Sequence, residues 1–229
     1  MKFQKAFTLV ETVIVLTMFS TVIILILTAV NKYKTYLAQS RLQTIALNLT
    51  REGVEEMYQW RDTNWMKNSA DKDNKIFCMD PFNCSVNNIT TTGFYILKEN
   101  TNTGGVKYFM LSGMNNTVGS KMYNDISAYM DESSFSLGKI APAKIVFTGD
   151  FTWAIEGNLS GVMAREGDFY RLVKFNGVYR KDVGNSAFAN LNNLTVPVEV
   201  DFCVKTIFFP VEGAIGESEI CSLITNFKK

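Results

Sequence analysis

The chain has 229 residues, 47% of them hydrophobic, with 23 Lys and Arg against 22 Asp and Glu for a formal charge of +1. That length allows one or two domains with a packed core, and the near-neutral charge leaves no cationic surplus for a phosphate backbone, so nucleic acid is not an expected partner. Histidine is absent, which removes the commonest general base and the commonest metal ligand; no constellation of nucleophile, base and acid replaces it, and neither enzymatic activity nor a cofactor is expected.

The first element is an apolar run. From Phe7 to Val30 every side chain is apolar or a small hydroxyl except Glu11. Thr12 to Val30 supplies 19 uncharged residues, close to the ~20 that carry a helix across a ~30 Å hydrocarbon core. A cleaved secretory signal would have an apolar stretch of roughly 7–15 residues followed by a small-x-small site, whereas this run leaves through Thr28, Ala29, Val30, Asn31 and Lys32. Lys2 and Lys5 before the run are balanced by Lys32, Lys34 and Arg41 after it, so charge alone does not orient the span.

Glu11 needs a reason. A carboxylate near the middle of a bilayer costs about 2.5–3.5 kcal/mol on insertion scales and marks a partner or a pathway; the alternative is that Glu11 sits at headgroup depth. The segment Lys5-Ala6-Phe7-Thr8-Leu9-Val10-Glu11 resembles the cleavage and methylation signal of type IV prepilins and pseudopilins. That resemblance implies a leader of residues 1–6, cut by prepilin peptidase on the cytoplasmic side between Ala6 and Phe7, with N-methylation of the new Phe7 amine. Ala6 stands where the family usually has Gly. A free or methylated amine stays charged. With neighbouring subunits staggered axially, the Phe7 amine of one can approach Glu11 of the next and compensate both charges in an apolar filament core.

No Gly or Pro occurs between Phe7 and Glu52, so nothing local stops the helix where it leaves the membrane, and one helix is predicted from Phe7 to about Asn64. Residues 7–30 form its transmembrane or filament-core part and residues 31–64 its amphipathic part. In the latter, Ala38, Leu42, Ile45, Ala46, Leu49, Gly53, Met57 and Trp60 recur in steps of three and four, which predicts one buried face. Arg41, Asn48, Arg51, Glu55 and Arg61 lie mostly off that stripe and read as solvated. Gly53 costs about 1 kcal/mol inside a helix, and close approach of a strand is the expected compensation. The stretch Leu49 to Trp65 is similar to the helix end of one bacterial branch of prepilin-type proteins.

Residues 65–229 form a globular, β-rich head. Ser69 to Lys75 reads as a loop whose Asp71 and Asp73 do not continue as a calcium site, since Lys75 takes the third ligand position and Ile76 that of the turn Gly. Phe94–Leu97 and Val106–Leu111 flank Asn102-Thr-Gly-Gly105 as a hairpin, and its glycines lack the Lys and Ser/Thr of a phosphate loop. Further strands are expected at Lys144–Phe147, Phe151–Ile155, Phe169–Phe175, Val196–Phe208 and Ile220–Phe227. Trp60, Trp65 and the many Phe are expected in the core. Sequons at Asn48, Asn83, Asn88, Asn115, Asn158 and Asn193 are what an Asn-rich chain produces by chance.

Four cysteines, Cys78, Cys84, Cys203 and Cys221, follow the span, and their even number favours disulfides. Cys78 and Cys84 enclose the turn signal Asp80-Pro81. If Cys203 and Cys221 face each other across an antiparallel hairpin, its centre falls at residue 212, inside the turn-like Pro210-Val-Glu-Gly-Ala-Ile-Gly216, and opposed residues lie within disulfide range. Zinc is the alternative, without CxxC spacing or His to support it. The later pair also resembles the cysteine-closed loop of many pilins.

The expected fold is therefore α+β, with a long N-terminal helix packed on an antiparallel sheet, as in type IV pilins. The resemblance implies a structural subunit, held in the cytoplasmic membrane with its head outside, that assembles through its N-terminal helix with identical or homologous subunits into a surface filament. Prepilin peptidase and the pilus assembly platform are the implied partners. Minor pilin and type II secretion or competence pseudopilin stay open within that class, and a monomeric membrane-anchored surface binding protein stands outside it.

Overall fold

The computed structural model describes residues 9–67, 78–84, 93–114, 120, 123–124, 144–147, 153–155, 168–180, 198–209 and 215–225. One helix, α1 (Leu9–Lys67), is followed by strands β1 (Gly93–Thr101), β2 (Lys107–Gly113), β3 (Lys144–Phe147), β4 (Trp153–Ile155), β5 (Phe169–Arg180), β6 (Val198–Phe208) and β7 (Gly216–Thr225). The chain divides into two compact units, Met1–Arg41 and Leu42–Lys229. The division falls within the amphipathic part of α1, just before Leu42, so Ala38 of the predicted stripe belongs to the first unit.

In the first unit α1 presents large apolar side chains on every side, with Leu9, Val15, Phe19, Leu25 and Val30 all exposed. Its hydroxyls turn inward. Thr12, Thr17, Ser20, Thr21 and Thr28 donate to carbonyls three or four residues back, at 2.6–2.8 Å. These hydroxyls are thus satisfied within the helix, as an apolar surrounding requires.

In the second unit the rest of α1 buries Ala46, Leu49, Thr50, Gly53, Glu56, Met57, Trp60 and Asn64. Steps of three and four put these on one face, against a seven-stranded, wholly antiparallel sheet. β5 is its centre. One edge of β5 pairs with β6 along its length, and the other is shared by β1, opposite Val173–Phe175, and β3, opposite Phe169–Tyr170. β2 and β4 then extend β1 and β3, and β7 lies beyond β6. The predicted hairpin over Asn102–Gly105 closes with Gly105 at φ +76°, a left-handed conformation that favours glycine.

Both faces of the sheet are buried along β5 and β6. Alternate residues Val173, Phe175, Phe202 and Val204 meet Met57 and Trp60 of α1, with Phe169 and Phe208 against Ala46 and Leu49. Their neighbours Tyr170, Leu172, Cys203 and Ile207 form a second core on the opposite face with Ile96, Tyr123 and Phe209. Two expectations are corrected. Trp65 is 38% exposed while Trp60 is fully buried: five residues place Trp65 well round the helix from Trp60, and Asn64, four residues on, takes the buried place. Arg61 is not a freely solvated charge, since its side chain is 12% exposed, ion-paired with Asp62 and laid over the Tyr58 ring.

Candidate functional site

Glu11 lies near the start of the described part of α1. It is exposed and flanked by Val10, Thr12, Val13, Ile14 and Val15, all exposed too. Ala6 and Phe7, the cleavage and methylation positions, lie outside the described residues. α1 carries a candidate membrane span by length and composition, and from Leu9 to Val30 it exposes large apolar side chains with Glu11 as the one acid among them.

All four cysteines are paired as expected. Cys78 and Cys84 are joined with Cα atoms 5.5 Å apart, and Cys203 and Cys221 with Cα atoms 4.0 Å apart. Cys203 stands opposite Cys221 in the β6–β7 register, which places the hairpin centre at residue 212. Glu219 comes near this second pair to give a trio of metal-ligand types, but both sulfurs are held in the disulfide and offer no thiolate. The first disulfide closes a loop onto the end of α1. The Trp60 indole donates to the Cys78 carbonyl at 3.0 Å and the Asn64 amide donates to it at 3.1 Å, while the Leu111 N–H in β2 donates to Met79 O.

Two polar clusters carry no sequence signal of their own. Beneath α1, the Arg171 guanidinium pairs with the Glu56 carboxylate and donates to Leu49 O at 3.1 Å, all buried. Gly53 makes the space, because a Cβ there would lie 2.8 Å from Arg171 Cδ and 2.8 Å from Val204 Cγ1. This is the close strand approach expected for Gly53. Burial pushes the Glu56 carboxyl above the usual carboxylate range, and the Arg171 charge opposes that shift. Thr50 adds a hydrogen bond to Thr206 at 2.9 Å.

On the opposite face, Tyr123 donates to Glu219, and the ammonium groups of Lys205 and Lys174 lie 4.7 and 5.3 Å from its ring centre. Burial raises the Tyr123 phenol pKa, and the Glu219 hydrogen bond and charge add to it. Lys205 also pairs with Glu217 at 2.7 Å. Alternation along β5 and β6 could have placed Lys174 and Lys205 on this face, but nothing local marks Tyr123 as the residue that covers them.

Both clusters tie elements together: the first joins α1 to β5 and β6, and the second joins Tyr123 to β5, β6 and β7. Compared with known proteins, the chain matches no family model, no curated protein and no solved structure. Its fold and side-chain chemistry therefore carry the functional reading.

Proposed function

We propose that the chain is a type IV pilin-like structural subunit, inserted in the membrane by the first part of α1 and assembled into a surface filament through that same surface. The observation that carries this reading is Glu11 at the start of a helix that is exposed and apolar on every side through Val30. A helix apolar all round requires a nonpolar surrounding. A lipid anchor accounts for the apolar residues. A filament core of packed helices accounts for the carboxylate as well, as countercharge to the Phe7 amine of the neighbouring subunit after cleavage at Ala6–Phe7. The head, folded on the second part of α1 and closed by two disulfides, then lies outside the membrane and covers the filament surface. Assignment as a minor pilin, or as a secretion or competence pseudopilin, falls within this proposal.

The test is expression in cells with prepilin peptidase and a pilus assembly system. The expected result is a mature N-terminus at Phe7 by N-terminal sequencing and recovery of the chain in sheared surface filaments. A chain that keeps Met1 and stays in the membrane would replace this reading with that of a monomeric anchored binding protein.

A further inference from the structure

Where α1 leaves its apolar run, the sequence reads Asn31-Lys32-Tyr33-Lys34-Thr35-Tyr36-Leu37, and no Asp or Glu occurs from Thr12 to Arg51. Lys32, Lys34 and Arg41 are exposed, and Tyr33 and Tyr36 are 61% and 68% exposed. Because the chain keeps helical conformation throughout this stretch, depth follows from the rise of ~1.5 Å per residue. The 19 residues from Thr12 to Val30 then cover about 28 Å, the thickness of one hydrocarbon core, and each headgroup layer adds about 5–7 Å beyond it.

With Val30 at the hydrocarbon edge, Lys32, Tyr33 and Lys34 stand about 3, 4.5 and 6 Å outside it, and Tyr36 about 9 Å. That is the depth at which the amphipathic ring of Tyr is favoured. It is also the depth at which an ammonium meets lipid phosphates directly. Arg41 stands about 16 Å out, beyond the ~8 Å screening length of physiological salt. Two lysines and Tyr33 thus share the headgroup layer, with Tyr36 at its outer rim and a third cation, Arg41, well outside it.

We infer that Lys32, Tyr33, Lys34 and Tyr36 form a docking collar for anionic phospholipid headgroups of the leaflet through which α1 emerges. This rests on the membrane insertion proposed above. In the membrane, before any axial stagger, a like copy at the same depth is a poor occupant, since its own stretch from Thr12 to Arg51 is equally basic and free of acids, and two such collars side by side repel. An anionic headgroup supplies the complementary charge, and the tyrosines fix the depth at which it is met. Sequence around the exit therefore does more than end the span: it selects the lipid that surrounds the subunit before assembly.

The experiment reconstitutes the full chain in vesicles of phosphatidylcholine with phosphatidylglycerol, and measures by spin-labelled lipid the share of each that is immobilised around the protein. A surface lysine is worth about 1 kcal/mol of attraction to an anionic leaflet, so the immobilised shell should favour phosphatidylglycerol about fivefold at each lysine and lose most of that preference in high salt. Lys32→Gln with Lys34→Gln should reduce it, Lys32→Arg with Lys34→Arg should retain it, and Arg41→Gln should leave it nearly unchanged. Resistance to alkaline extraction is measured on the same vesicles. A chain that does not insert overturns the membrane reading and the collar with it. An inserted chain without lipid preference, or with a preference that survives Lys32→Gln and Lys34→Gln because Lys2 and Lys5 hold the headgroups at the other leaflet, overturns the collar alone.

Discussion

The contact of Gly53 with Arg171 decides how closely α1 can approach β5, and opposing effects of known size test it. Helix propensity favours Gly53→Ala by about 1 kcal/mol. The added methyl, however, would lie 2.8 Å from Arg171 Cδ and from Val204 Cγ1, and overpacking a core costs about 1–3 kcal/mol. Val204 is β-branched and yields little, while the Arg171 head is held by Glu56 and Leu49 O, so strain should win. Chemical denaturation is expected to show Gly53→Ala destabilised by about 1 kcal/mol; a stabilised variant would mean that Arg171 swings aside. Removing Arg171 itself strands a buried carboxylate, and Arg171→Met should cost about 3–5 kcal/mol, most of it recovered when Glu56→Leu is added. The same pair gives a pH signature. Since burial lifts the Glu56 pKa above its ordinary 4.5, the folded protein keeps a proton there that the unfolded chain has already released. Stability due to this group therefore falls as pH rises from 4.5 through the raised pKa. Denaturation of wild type and Glu56→Gln across that window should show the slope in the first and not in the second.

Between elements, the two disulfides differ in what they hold. Cys203–Cys221 closes a separation of 18 residues and Cys78–Cys84 one of 6, which in the chain-entropy account correspond to about 3 and 2 kcal/mol. Replacing both cysteines by Ser, one pair at a time, should reproduce that order in chemical denaturation, and non-reducing peptide maps should contain no Cys84–Cys203 peptide. The second pair was legible because a hairpin must satisfy two conditions at once, facing residues and a turn midway between them, and only the Pro210–Gly216 stretch meets both. Helical steps of three and four revealed the buried face of α1 for the same kind of reason. Periodicity was silent on Glu56, Thr50 and Asn64, which sit on that face although they are polar; their partners Arg171, Thr206 and the Cys78 carbonyl lie far along the chain. Nor does alternation in β5 and β6 tell what covers the outward side chains. It marks Lys174 and Lys205 as sharing a face, and only the fold brings the Tyr123 ring onto them.

At the scale of the molecule, the unit Leu42–Lys229 has its own core and both disulfides, whereas the described residues of the other unit expose large apolar side chains from Leu9 to Val30. On the proposed function, folding and assembly fall to different parts of the chain, and Glu11→Ala would separate them. Removing the carboxylate lowers the cost of placing α1 in lipid, so the variant should reach the membrane in at least wild-type amount. Its head, which has its own core and both cysteine pairs within Leu42–Lys229, should form both disulfides. What should fail is recruitment: inside a filament core the Phe7 amine of one subunit would meet apolar surroundings with no countercharge on the next, and an ion left alone in such a medium is strongly disfavoured. Glu11→Gln keeps the shape and hydrogen-bonding capacity but not the charge, and should fail as Glu11→Ala does. The measurement is the ratio of sheared filament to membrane pool for the three proteins, taken in cells where the chain is the structural subunit. Equal ratios would reduce Glu11 to a residue of the membrane interface and leave the apolar surface of α1 as the whole of the assembly determinant.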